Sequence, residues 1–313
     1  MNKTSEKLIT PAMNGQEWLM MIILAMLWGG SFFFYKVMID GGLPVFLIVL
    51  LRVGLATLIL NLWLVARRDF MPTSPRLWRD FIIMGLLSNT LPFSLIVFGE
   101  QRISSGLASI LNATTPIFTM IIAHFLTTNE KLSGPKAFGI LLGIIGVAVL
   151  VGPTSLSDFH SGSMSNMIGK LCCLAASIIY AFSAIYGKRF RGMDPVKTAT
   201  GQITASTFML FPIVLIFEHP WTLPMPALHV WGAIIGISLF STVFAYILFF
   251  RILASAGATN AQLVTFLIPV CALLLSWGVL NETIKFQSIL GMIIIGLGLA
   301  AIDGRIVKWV RKI

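Results

Sequence analysis

Residues 28–36 read Trp-Gly-Gly-Ser-Phe-Phe-Phe-Tyr-Lys, and residues 180–188 read Tyr-Ala-Phe-Ser-Ala-Ile-Tyr-Gly-Lys. An aromatic residue opens each run, Ser31 matches Ser183, and Lys36 matches Lys188. The same offset of 152 residues carries Asn129-Glu130 onto Asn281-Glu282, and Gly139 and Gly146 onto Gly291 and Gly298. A chain that repeats at about half its length, in segments apolar enough to cross a bilayer, has the build of a transporter.

Composition sets the solvent. The 313 residues are 57% hydrophobic and 11% charged, against about 25% charged in soluble domains. A water-soluble fold of this size cannot bury so much apolar surface, so lipid must cover it. A spanning helix needs about 20 mostly apolar residues. Ten stretches qualify: 18–38, 44–65, 80–98, 103–126, 135–152, 166–187, 198–217, 230–251, 257–280 and 286–303. The expected fold class is therefore an all-α membrane protein of ten transmembrane helices, with short connections and no room for a separate soluble domain.

The basic residues predict the orientation. Lys3 and Lys7 precede the first span, whose apolar run is too long for a cleaved signal, so it reads as a retained helix. With the N-terminus in the cytoplasm, 17 of the 22 Lys and Arg residues fall in cytoplasmic segments and only Arg102 and Lys285 in outer connections. This is a positive-inside pattern. It predicts a multi-pass protein of the cell inner (plasma) membrane with both termini cytoplasmic. It also accounts for the net charge of +10 through an anionic leaflet, without nucleic acid. Each half holds five spans, an odd number, so span 1 and its copy, span 6, run in opposite directions. Two inverted five-helix repeats, 1–152 and 153–313, follow, with a site expected between them near the midplane.

The residues then resemble a family. The chain is similar, over nearly its whole length, to EamA-type members of the drug/metabolite transporter superfamily. The likeness rests on the Trp28-Gly29 to Lys36 run, on Arg52 in span 2, and on a proline in each repeat's fourth span, Pro116 and Pro269. Each of those spans ends in a glutamate, Glu130 or Glu282, and is followed by a Gly-rich fifth span. The resemblance implies a central cavity lined mainly by spans 1, 3, 4, 6, 8 and 9. It implies small metabolites such as amino acids as substrates, usually exported. The second half departs from the pattern: Tyr180 replaces Trp, and span 7 has no arginine matching Arg52.

Arg52 is the costliest residue in the chain, about 12 Å into span 2 at 1.5 Å per residue. A charge at that depth costs at least ~2.5 kcal/mol and faces the protein interior or an aqueous cavity. Two readings stay open: its guanidinium orients a substrate carboxylate, or it ties span 2 to neighbouring carbonyls. Pro116 and Pro269 remove backbone hydrogen bonds mid-span and are expected to kink their helices. The freed carbonyls, with Asn112, Thr115, Gln262 and Thr265 beside them, are expected to face the pathway. Asn89 is either a cavity hydrogen-bonder or glue between helices. Trp28, Phe32, Phe93, Tyr180, Phe244, Tyr246 and Trp277 lie too deep for an interfacial belt and are candidate cavity walls. The repeat also suggests two alternating gate pairs, Lys36–Glu282 and Lys188–Glu130. The plainer alternative is four independent interfacial charges.

All twelve acids fall in connections, tails or helix ends, which favours neutral or zwitterionic cargo and leaves no obvious proton carrier. Cys172, Cys173 and Cys271 read as free thiols without metal spacing. No phosphate loop is present, and no cluster of acids or histidines suits a membrane-embedded enzyme. The expectation is a non-enzymatic, secondary-active carrier with no cofactor and no catalytic or metal-binding residue. It exports a small zwitterionic or neutral metabolite such as an amino acid by alternating access. Import, or flipping of a lipid-linked substrate on the same fold, is the alternative. The expected partners are that substrate and the bilayer. The Gly-rich helices carrying Gly139, Gly143, Gly146, Gly291, Gly296 and Gly298 either pack closely within the scaffold or offer a homodimer face.

Overall fold

A computed structural model describes residues 13–128, 133–151, 163–271 and 286–303. The described residues contain no strand. Among the described residues, seven helices are long and apolar enough to cross a membrane: α1 (Gly15–Asp40), α2 (Val45–Ala66), α3 (Pro75–Glu100), α4 (Leu107–Leu126), α6 (Met164–Phe190), α7 (Pro195–Phe217) and α8 (Leu228–Ala256). Three more apolar segments, α5 (Gly134–Leu150), α9 (Ala258–Cys271) and α10 (Ile289–Ile302), are shorter. The stretch expected to span at 257–280 runs past Cys271 into residues outside those described.

Local chemistry starts the helices. Asn14 and Glu17 form a reciprocal capping box at α1, satisfying two backbone N–H groups that the first turn leaves free. Asp194 accepts from the N–H groups of Val196 and Lys197 at the start of α7, with Pro195 in its first turn. At α2 the cap comes from the other half of the chain. Glu218, just past the end of α7, accepts from the N–H groups of Phe46 (2.8 Å) and Leu47 (2.6 Å). Partial burial raises the pKa of its carboxyl above the ordinary value, and the two N–H donors only partly oppose this. Leu58, Leu62, Phe125, Phe208 and Phe217 are exposed on the outside of the bundle, a surface that only lipid can cover.

The two halves interlock through matching contacts. Helix α1 packs on α8, and its repeat mate α6 packs on α3, the mate of α8. Helices α2 and α7 pack on each other, as do α4 and α9 and, most extensively, α5 and α10. Exchange of partners between mates is what a pseudo-two-fold relation between the halves requires. The α5–α10 contact depends on glycine. A Cβ at Gly139 would lie 2.6 Å from the carbonyl oxygen of Gly298, and one at Gly291 would lie 2.5 Å from Leu150 Cα. A Cβ at Gly143 would run into the Phe266 ring. The glycines expected at a homodimer face are thus occupied within one chain, except Gly296, which has open space beside it.

The fourth span of each half is broken. Helix α4 consists of Ser105–Asn112 and Thr115–Leu126, with Pro116 in the first turn of the second piece. Hydroxyl groups take the freed carbonyls: Thr115 donates to Asn112, and both Thr114 and Ser177 donate to Leu111. The kink carbonyls, expected to line a pathway, are satisfied internally. In the second half the interruption lies at Leu263 rather than at Pro269, which sits in the following helical piece. There Thr265 donates to the carbonyl of Gln262. The left-handed φ of +85° at Gly257, which separates α8 from α9, is a conformation that glycine adopts without strain.

Candidate functional site

Wide turns in α3 and α8 organise the centre of the bundle. Residues Leu86–Thr90 and Leu239–Phe244, at corresponding places in the two halves, form π-helical turns. Such turns leave backbone and side-chain groups free to bond outside their own helix, and they collect at functional sites. Arg52 uses the one in α8. Its Nε donates to Thr242 Oγ1 at 2.9 Å and its Nη2 to the Ser241 carbonyl at 2.9 Å. Nη1 donates to the Tyr35 hydroxyl. The guanidinium carbon lies 3.8 Å from the centre of the Phe93 ring and 5.3 Å from that of Tyr35. Arg52 is 2% exposed. Among the described residues no carboxylate pairs with it, and two of its five N–H groups have no acceptor.

Beside Arg52 lies a cavity of about 60 Å³, room for about four waters. Trp28, Phe32, Arg52, Phe93, Asn112, Tyr180, Tyr246, Gln262 and Thr265 all line it. Trp28 is held by a hydrogen bond from its indole N–H to the Ser241 carbonyl (3.2 Å) and by edge contact with Tyr246, ring centres 5.9 Å apart. Tyr246 donates to the Ser88 carbonyl in the π turn of α3. Gln262 donates to the Tyr180 carbonyl at 3.4 Å. Two oxygens in the lining, Ser31 Oγ and Asn112 Oδ1, are buried with no hydrogen-bond partner among the described residues.

Other expected site residues lie elsewhere. Asn89 is fully buried in the seam between α3 and α7, where it donates to Ser206 Oγ at 3.0 Å. Thr115 caps the break in α4 and does not reach the cavity. Phe244 is 40% exposed on the outer surface, because the π turn rotates it out of the bundle. Lys36 forms an ion pair with Asp40 on its own helix at 2.6 Å, both side chains being exposed. Lys188 lies in the short 3-10 turn that ends α6. Glu130 and Glu282, the other members of the expected gates, and Trp277 lie outside the described residues.

The cavity also holds Ser31, Tyr35, Ser88, Ile96, Ser183, Phe249 and Ile268, none of which composition singled out. For Ser31 and Ser183 a signal existed: they are the matched serines of the repeated run, and both face the same cavity. Tyr35 stands in that run too, but its contact with Arg52 depends on how α1 and α2 pack.

The sequence profile of the EamA-like transporter family matches residues 16–152 and again residues 167–302. The chain belongs to the EamA-like transporter family. Its relatives include the uncharacterized transporter YoaV of Bacillus subtilis, 28% identical over 279 residues, covering 89% of this chain and 93% of YoaV. An uncharacterized transporter of Archaeoglobus fulgidus is 24% identical over 285 residues, covering 90% and 95%. The uncharacterized inner membrane transporter YedA of Escherichia coli K12 is 24% identical over 264 residues, covering 84% and 82%. A solved crystal structure shares the fold with a TM-score of 0.73 at 17% identity, covering 92% of this chain and 97% of its own. This EamA-like chain is therefore a multi-pass membrane transporter, with its described cavity walled by helices of both halves.

Proposed function

We propose that this EamA-like transporter is a secondary-active exporter of a small zwitterionic metabolite, an amino acid with an apolar side chain. One observation carries the reading: a buried arginine without an acidic partner forms one wall of an aromatic cavity that also holds unpartnered oxygens. The two free N–H groups of Arg52 suit a carboxylate, which a guanidinium grips in bidentate fashion. Asn112 Oδ1 and Ser31 Oγ suit an ammonium group. Trp28, Phe93, Tyr180 and Phe249 suit an apolar body. In this reading ten spans form two inverted five-helix halves in the cytoplasmic membrane, both termini are cytoplasmic, and transport is alternating access between the halves. The lysine-rich segments support that orientation, and the partner exchange of α1, α3, α6 and α8 supports the inverted relation.

The test is a comparison of metabolites in cells and medium with the chain expressed and with an empty vector, at matched membrane protein levels. One amino-acid class rising in the medium only with the transporter supports the proposal. A rise inside the cells instead identifies import. No change in any small metabolite, with a labelled lipid-linked sugar crossing the bilayer, moves the assignment to flipping.

A further inference from the structure

Glu100 ends α3 and is 7% exposed. Its Oε2 accepts from Ser105 Oγ at 3.2 Å, and its Oε1 is buried with no hydrogen-bond partner among the described residues. No cation among the described residues is within ion-pair distance of it. Of the charged and titratable groups around it, Lys36, Tyr35 and Arg102 are engaged with other partners. Lys36, on α1 and within electrostatic reach, is paired with Asp40. Tyr35, also on α1, accepts from Arg52. Arg102 turns back on its own helix, donating to the Phe98 carbonyl at 2.7 Å with its guanidinium over the Phe98 ring. From α6 come Cys173, 1% exposed, and, one turn away, Lys170. Around these groups lie Ile103, Leu107 and Phe32.

A carboxylate ion in apolar surroundings with one weak donor is far costlier than the neutral acid. These surroundings favour the neutral acid of Glu100 over its ion. Glu100 also lies close to the cavity. Ile96, which lines the cavity, is one turn before it on α3, about 6 Å along the axis. Tyr35, within its electrostatic reach, is the hydrogen-bond partner of Arg52.

We infer that Glu100 is a proton-binding site of this carrier: it holds a proton in the conformation seen here and exchanges it with water when the other conformation opens its end of α3. The carboxyl O–H bond breaks as its proton passes to water, forming hydronium, and the reverse step restores the acid; Lys36, though paired with Asp40, is the cation within electrostatic reach of the ion. This rests on the carrier reading above, not on the identity of the cargo.

Two experiments on the purified full chain in lipid test it. Infrared spectra at neutral pH are compared for wild type and Glu100→Gln, in H2O and D2O. A buried carboxylic acid gives a carbonyl band that shifts on deuteration. Its presence in wild type and loss in Glu100→Gln is expected, and superimposable spectra overturn the assignment whatever the cargo. In proteoliposomes with labelled leucine, a gradient of one pH unit is expected to drive about ten-fold accumulation by wild type at one proton per molecule. Glu100→Gln should keep leucine exchange and lose accumulation, and Glu100→Asp, still an acid, should recover part of it. Accumulation by Glu100→Gln equal to wild type refutes coupling. If no protein moves leucine, the amino-acid reading fails, and the infrared result still decides the proton site.

Discussion

Replacing Arg52 by methionine should abolish recognition of the cargo's carboxylate while leaving the fold standing. Three hydrogen bonds to Tyr35, Thr242 and Ser241 are lost, each worth about 1.5–3 kcal/mol for a charged donor. Against that, the change removes a buried charge that costs about 2.5–3.5 kcal/mol in a membrane segment. Methionine also keeps apolar contact with Phe93, so net destabilisation should centre on about 4 kcal/mol, and membrane levels compared with wild type check that the protein still inserts and purifies. Binding is affected differently. In the proposed reading the two N–H groups with no acceptor among the described residues grip the cargo's carboxylate in bidentate fashion, and losing them should cost about 3 kcal/mol, or about 100-fold in affinity. The assay compares competition by an amino acid and by its amide in wild type and Arg52→Met. Wild type should prefer the carboxylate form and the variant should not discriminate. Arg52→Lys, which keeps charge but lacks the planar fork, should fall between. An equal preference for the acid over the amide in Arg52→Met would refute the reasoning, because Arg52 would then be a structural tie between α2 and α8.

Three further outcomes are expected. Phe93→Leu removes the ring 3.8 Å from the Arg52 guanidinium and should weaken cargo affinity about three- to ten-fold, the equivalent of a cation–π contact of ~0.5–1.5 kcal/mol, measured by equilibrium binding. Gly291→Ala places a methyl 2.5 Å from Leu150 Cα and should destabilise the protein by about 1–3 kcal/mol. Gly296→Ala, with open space beside it, should be neutral or stabilise by up to about 1 kcal/mol in thermal unfolding in detergent. Glu218, whose carboxyl pKa is raised by burial, binds its proton more tightly in the folded state. Its contribution is therefore fully present below the unfolded carboxylate value and is lost as pH rises through the higher folded one. The stability difference between wild type and Glu218→Gln should accordingly shift in favour of the variant between acidic and neutral pH; a difference independent of pH would contradict this.

The solvent, the class and the internal repeat can be read from the chain alone. Apolar runs of about twenty residues and a recurrence every 152 residues are properties of the chain read in order, since one helix crossing a bilayer needs no partner to be recognised. Arg52 stood out for the same reason: its cost depends on depth alone. Residues such as Trp28, Phe93, Tyr180 and Gln262 were legible as polar or aromatic side chains too deep for an interface. Only the tertiary structure decided which of them share a space. Asn89 and Asn112 are both deep amides, yet one is tied to Ser206 across the α3–α7 seam and the other faces the cavity. The difference is rotation about a helix axis, and π turns at Leu86–Thr90 and Leu239–Phe244 reset that rotation where no 3.6-residue periodicity predicts it. The same turn sends Phe244 outward. Glu100 was read as one more acid at a helix end, because a terminal position ordinarily means water. What removes the water there is the close approach of α6, where a Cβ at Gly99 would meet Cys173 Sγ at 2.6 Å. That packing, set by residues more than seventy positions away in the chain, turns an ordinary surface acid into a buried one.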